Sequence, residues 1–299
     1  MGRIFTPLRL YASLFKQAAL AWIKDGAASM GAALAFYSAF SLAPLLLIVM
    51  AIAGLVYGAD AARKAVVQQF AELIGPVGAD AVGALLKAAS TAETGGVATA
   101  IGVILLLVGA TTVLVELEND LDRIWEAAPR EQNGLVSLVR VRLISFGMIL
   151  GIGFLLIVSL VAGSAIAAVS AHWNSSTIGT TALFAIDFAL SVAIFTALFG
   201  MLYKWLPNVY IAWRDVWTGA LTTAVLFNIG RLAIGAYLGR SATASAYAAA
   251  GSVLVLLLWL YYSAQIFLFG AEFTWVHAKH RRATHAGRTA ASAEYQSPG

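Results

Sequence analysis

Six stretches of this chain are apolar for about twenty residues or more, and no other feature constrains its fold as strongly. They run from Ser29 to Tyr57, Val97 to Val115, Leu143 to Val169, Ala182 to Tyr203, Val216 to Leu238 and Tyr247 to Ala271. A helix of about 20 apolar residues spans the hydrocarbon core of a bilayer. Composition points the same way: 61% of the 299 residues are hydrophobic and 11% charged, against about 25% charged in a soluble domain. So few charges cannot cover a water-exposed surface, which excludes a soluble globular enzyme. The expected class is all-α, a polytopic membrane bundle with six transmembrane helices. Cysteine is absent, which excludes disulfides, a thiolate nucleophile and a zinc-thiolate site.

Charge placement predicts orientation. With the N-terminus inside, the cytoplasmic segments hold Arg3, Arg9, Lys16, Lys24, Arg123, Arg130, Arg140, Arg142, Lys204, Arg214, Lys279, Arg281, Arg282 and Arg288. The opposite side holds only Arg63, Lys64, Lys87 and Arg240. Positive loops stay inside, so both termini are expected in the cytoplasm. The net charge of +4 is read as topology, with no nucleic-acid partner. Arg3, Arg9, Lys16 and Lys24 are scattered among apolar residues, so no cleavable signal peptide is expected.

The flanking segments divide the chain further. In residues 1–28, Leu8, Tyr11, Phe15, Ala18 and Trp22 recur at helical spacing, which predicts an interfacial amphipathic helix on the inner leaflet. Residues 29–271 form the six-span domain, with an outer cap at about 60–94. That cap reads as two short amphipathic helices, one carrying Val66, Phe70, Leu73 and Ile74 and the other Val82, Leu85, Leu86 and Ala89, split by Gly75-Pro76. Residues 272–299 read as a basic, disordered cytoplasmic tail suited to anionic lipid heads.

Small residues are expected to carry helix association, because lipid offers little hydrophobic drive between helices. Gly147, Gly151, Ser159, Gly163 and Ala167 form one such ridge, and Gly235 and Gly239 extend the pattern to the fifth span. The ridges allow a homodimer without demanding one. Pro44, near the middle of the first span, leaves the Phe40 carbonyl without its helical donor. A kink is expected there, with Ser41 or a neighbouring helix supplying the missing bond. Phe36, Phe40 and Pro44 share their spacing of four with Phe195, Phe199, Tyr203 and Pro207, a pattern that an inverted repeat would produce.

The run from Ala32 to Leu45, AALAFYSAFSLAPL, resembles the opening signature of the YihY/BrkB family of bacterial inner-membrane proteins. Leu121-Asp122-Arg123-Ile124-Trp125, Pro207-Asn208 with Trp213-Arg214-Asp215, and Leu257 to Tyr262 leading to Gly270-Ala271-Glu272 are similar to further family motifs in the same order. Members often carry Asn at the position of Asp122 and Gly at that of Ala248. The resemblance implies six spans in the plasma membrane, a virulence-associated name for part of the group, and an older label as a ribonuclease acting on transfer RNA. It implies no settled activity.

Within the spans, charges mark candidate function, since they are costly in lipid and line pathways where they persist. Asp187 and Arg231 each lie roughly 8 to 10 Å below the outer surface, where they could pair across a cavity. Tyr37, Ser41, Pro44, Asn228 and Gln265 complete the expected substrate pathway, and Tyr261 and Tyr262 add polar groups beside it. Glu272 ends the sixth span and needs a cation, with Lys204 and Arg214 as candidates for a cytoplasmic gate or clamp. Asp215 reads as a helix N-cap. Glu116, Glu118, Asp120 and Asp122 form an acidic cluster on the solvated side of a helix whose buried stripe is Leu114, Leu117, Leu121 and Ile124. No catalytic residue, metal site or cofactor motif is expected. The sequence thus favours a transporter or exporter of an unidentified small solute or lipid-linked molecule. A non-catalytic envelope scaffold is the alternative, and a membrane ribonuclease the least favoured reading.

Overall fold

A computed structural model of the chain describes residues 5–91, 112–128, 177–241 and 248–295, and all regular structure among them is helical. In chain order the elements are α1 (Phe5–Lys24), α2 (Ala27–Tyr57), α3 (Ala59–Thr91), α4 (the helical residues 112–124), α5 (Thr177–Trp205), α6 (Trp213–Ser241) and α7 (Ala248–Tyr295). The first, fourth, fifth and sixth expected spans fall on α2, α5, α6 and α7. Most of the second span, all of the third, and its ridge from Gly147 to Ala167 lie outside the described residues, whereas Gly235 and Gly239 lie within α6. Two described stretches, Ala185–Trp205 and Val253–Thr284, are long and apolar enough to cross a membrane.

The chain forms two compact units. The first comprises Met1–Ala27, Glu118–Val225 and Phe267–Gly299; the second comprises Ala28–Leu117 and Leu226–Ile266. Within the first, Leu14 and Ala18 of α1 bury against Phe273 and Val276 of α7, with Phe269 and Trp275 packed alongside. Phe15 adds ring contacts to Phe273 at 4.8 Å and Phe269 at 6.0 Å between centroids. This alters the expected amphipathic face. The stripe that buries is Leu14 and Ala18, while Leu10, Tyr11, Phe15, Leu20 and Ile23 stay exposed. A helix with apolar residues on more than one face can pack on protein and still present a greasy surface.

Three further expectations are corrected. Residues 59–91 form one helix, not two short ones, and it runs through Gly75-Pro76. Proline removes one ladder bond and bends a helix, but a long apolar face on either side can keep the helix continuous. Ala62 is buried before the break, and Ala79, Val82 and Leu86 are buried after it. The tail is not irregular from residue 272, because α7 continues as helix to Tyr295. Its 48 residues would extend about 70 Å, more than twice a ~30 Å hydrocarbon core. Packing against α1 gives the segment after residue 272 a buried side that its composition alone does not announce. Thirdly, the Ser41 hydroxyl donates to the Ser38 carbonyl at 2.9 Å and so is not the group that serves Phe40, while α2 continues as helix on both sides of Pro44, as a kinked helix also does.

Turn chemistry fixes the short connections. Gly58 joins α2 to α3 at φ +82°, a conformation that glycine adopts without Cβ strain. The end of α4 uses Glu126 at φ 50°, with Ala127 N–H bonding Asp122 O at 2.8 Å and Glu126 N–H bonding Arg123 O at 3.2 Å. This is a Schellman cap built on a non-glycine residue. Glu126→Gly removes the left-handed strain, offset in part by glycine's greater unfolded-state entropy. The variant is expected to be more stable by about 0.5–1 kcal/mol, read as a higher midpoint of thermal unfolding in detergent. A lower midpoint would show that the Glu126 side chain contributes more than its backbone costs.

Candidate functional site

The first unit collects ionisable side chains along α7 beyond Phe267. Glu272 is fully buried, and neither of its carboxyl oxygens meets an N–H or hydroxyl donor among the described residues, while the Asp25 carboxyl lies within hydrogen-bond reach of it. Its charged neighbours are Asp25 and Lys24, at the turn where Gly26 adopts φ +72° between α1 and α2. No described ion pair joins Glu272 to Lys204 or Arg214, the partners expected from sequence. The Lys204 ammonium instead donates to the Ile211 carbonyl at 2.5 Å and lies 4.2 Å from the centre of the Tyr210 ring. It staples the loop between α5 and α6. Arg214 is exposed at the start of α6.

A carboxyl group buried beside another acid, without donors, lowers stability. Glu272→Gln keeps the shape and supplies an amide that can donate to Asp25 without a proton shared between two acids. It is expected to raise stability by about 1–3 kcal/mol, measured by thermal unfolding of the purified chain. An unchanged or lower midpoint would mean that Lys24 already compensates the carboxylate.

Two helical turns further along α7 a second group converges. Asp215 is almost fully buried in the first turn of α6, where a negative charge suits the helix dipole. It is inside the helix, not the N-cap expected from sequence. Arg281 Nη2 donates to Asp215 Oδ2 at 2.8 Å, and His277 Nδ1 lies 3.3 Å from Asp215 Oδ1. Beside this group, a cavity of about 220 Å³ opens between α1 and α7.

Close packing holds α6 against α7 in this unit. Gly219 of α6 faces Thr274 of α7, and Gly270 of α7 faces Thr223 of α6 and the Tyr203 hydroxyl of α5, so tightly that a Cβ on either glycine would collide. Thr223 and Thr274 each donate to the carbonyl four residues earlier, at 2.8 and 2.7 Å. Their hydroxyls are thereby satisfied within their own helices, and their methyl groups are left for packing. Fully buried Tyr203 donates to the Phe267 carbonyl at 2.7 Å and contacts the Thr223 hydroxyl at 3.0 Å. Gly219-xxx-Thr223 and Gly270-xxx-Thr274 are small-residue ridges of the type expected, at positions the sequence reading missed. Their spacing of four was the available signal.

The acidic cluster also acquires a structural use. Asn208 donates its backbone N–H to Asp122 Oδ1 at 2.7 Å, and its side-chain amide donates to Glu118 Oε1 at 2.7 Å and Asp122 Oδ2 at 2.6 Å. The loop after α5 is thus tied to α4, whose Leu121 and Ile124 are buried as expected, whereas Leu114 and Leu117 are half-buried and Asp120, expected on the solvated side, is buried.

The remaining expected pathway residues divide between the units. Asp187 is exposed in the first; Arg231 is half-buried in the second. Also in the second unit, Asn228 is fully buried, and the Gln265 amide donates to the Ala28 carbonyl at 3.3 Å where α7 passes Gly31 of α2. Tyr262 fits closely against Gly230. Tyr37 is half-buried, edge-on to Phe36 at 5.8 Å. Within the second unit, α2 and α7 are thus joined through Gln265.

Long apolar helices with packed glycines and buried ionisable groups define a membrane helix bundle. The chain belongs to the Virulence factor BrkB family, whose sequence profile it matches over residues 19–294. It is similar to UPF0761 membrane proteins of Ralstonia nicotianae (33% identity, covering 58% of this chain and 38% of that one) and Neisseria meningitidis serogroup B (28%, covering 81% and 58%). A third, from Tolumonas auensis, is 29% identical, covering 59% of this chain and 56% of its own. The matched regions span about two-fifths to three-fifths of these relatives' lengths. No solved structure matches.

Proposed function

We propose that the protein spans a bacterial inner membrane six times, with both termini cytoplasmic, and moves a small solute or lipid-linked molecule across or out of the bilayer. The observation that carries this reading is Glu272, a fully buried carboxyl group that no described N–H or hydroxyl serves and whose charged neighbours include a second acid, Asp25. Packing gains nothing from such a group, whereas ionisable residues in membrane helices persist where they serve a pathway. The excess of Lys and Arg in the cytoplasmic segments supports the orientation. This reading assigns the acidic cluster a structural role, with Glu118 and Asp122 holding Asn208. That same clamp favours the second reading, a non-catalytic envelope scaffold whose polar groups serve assembly.

The test is flux of labelled metabolite and phospholipid pools in liposomes containing the full chain. Release or uptake is expected for one pool, reduced at least about tenfold by Asp187→Asn, Arg231→Gln or Glu272→Gln. For Glu272→Gln the loss should accompany raised stability, which separates transport from folding. Folded protein that moves no pool faster than empty liposomes would give way to the scaffold reading.

A further inference from the structure

The cavity between α1 and α7 has two chemically distinct walls. Leu10, Tyr11 and Leu14 of α1 form the apolar wall, and His277, His280 and Arg281 of α7 form the polar one. We infer that this cavity is a binding site for the phosphate headgroup of an anionic phospholipid, with the start of an acyl chain lying along α1. The inference needs a membrane location but not transport.

Three observations carry it. First, the polar wall offers donors and no carboxylate of its own: guanidinium and imidazole groups are suited to phosphate oxygens. Arg281 is anchored by one nitrogen to buried Asp215, which fixes the guanidinium at the cavity and leaves its other N–H groups for a ligand. Arginine held in this way loses little freedom on binding a phosphate. Second, Leu10 and Tyr11 of the apolar wall are themselves exposed, with Phe15 one turn beyond Tyr11, an apolar edge along which an acyl chain can lie at the bilayer interface. Arg9 and Lys16 are exposed on the same helix. A free phosphate ion would have no use for that surface, whereas a lipid uses both walls. Third, Lys279 lies 4.4 Å from the centre of the Trp275 ring, and such aromatic and cationic side chains collect at headgroup depth.

The experiment titrates the detergent-solubilised full chain with short-chain phosphatidylglycerol, short-chain phosphatidylcholine and inorganic phosphate, read by native mass spectrometry and thermal shift. Phosphatidylglycerol is expected to form a one-to-one adduct and raise the unfolding midpoint more than phosphatidylcholine does. His280→Ala, and separately the double variant Asp215→Asn/Arg281→Gln, should weaken that adduct at least about tenfold. The double variant retains the hydrogen-bonding shape of the pair, and its lipid-free midpoint reports folding. Lys279→Ala, a change outside the cavity, should leave the adduct intact. Equal binding of both lipids, or equal weakening by Lys279→Ala and His280→Ala, would overturn the site in favour of general surface attraction. Displacement of phosphatidylglycerol by millimolar inorganic phosphate would overturn the assignment to a lipid.

Discussion

Gly270→Ala is expected to be one of the two most damaging substitutions in the first unit, although it adds a single methyl group. That methyl would occupy the space of the Thr223 side chain and the Tyr203 hydroxyl, both fully buried. Overpacking costs about 1–3 kcal/mol where neighbours can shift. Here the neighbours are pinned. Tyr203 donates to the Phe267 carbonyl, and displacing its hydroxyl would strand a buried polar group at a further cost of about 1–3 kcal/mol. A loss of about 3 kcal/mol or more follows, seen as a drop in the unfolding midpoint or failure to fold.

Gly219→Ala should behave similarly against Thr274, and this pair allows a cleaner test. Combining Gly219→Ala with Thr274→Gly removes the collision and should recover much of the loss, less about 1 kcal/mol for a glycine within α7. Additive effects in that cycle would show that the two positions do not meet. Midpoints equal to that of the parent chain for both single alanine variants would refute the interlock.

Apolar length is a local property of the chain, so α2, α5, α6 and α7 could be read directly from the sequence. Partner choice is not local. Asn208 reaches Asp122 across 86 positions, and Arg281 reaches Asp215 across 66. No periodicity within one helix reveals which face another helix will take. The sequence therefore places Glu272 at the end of a span and assigns it a cation from Lys204 or Arg214. The chain reversal at Gly26 brings Asp25 and Lys24 there instead.

The α1 segment fails for a related reason. Its apolar residues are numerous enough to suggest several faces, and only docking on α7 selects Leu14 and Ala18. Gly75-Pro76 is a different kind of failure, since a local breaker signal yields to the continuous helix on both sides. In α4 the sequence finds the buried Leu121 and Ile124 but sets Asp120, which is buried, on the solvated side, because helix periodicity does not show how far a neighbour wraps around one face.

The second large effect concerns Arg281, and its size distinguishes the two partners of one ion pair. Asp215 is 1% exposed and Arg281 32%. Arg281→Ala leaves a carboxylate buried without its charged donor, a situation that costs about 3–5 kcal/mol when a buried pair is broken. His277, 3.3 Å away but not hydrogen-bonded, offsets only part of this. Asp215→Asn leaves the arginine free to turn toward water, so it should cost less, about 1–2 kcal/mol for one charge-assisted bond and a favourable helix-dipole contact. The double variant Asp215→Asn/Arg281→Gln should be more stable than Arg281→Ala, because no buried charge is then left alone. Thermal unfolding of the three variants gives the order directly. If Asp215→Asn proved as damaging as Arg281→Ala, the burden would lie in the shape of the α6–α7 contact, and the carboxylate would not depend on its cation.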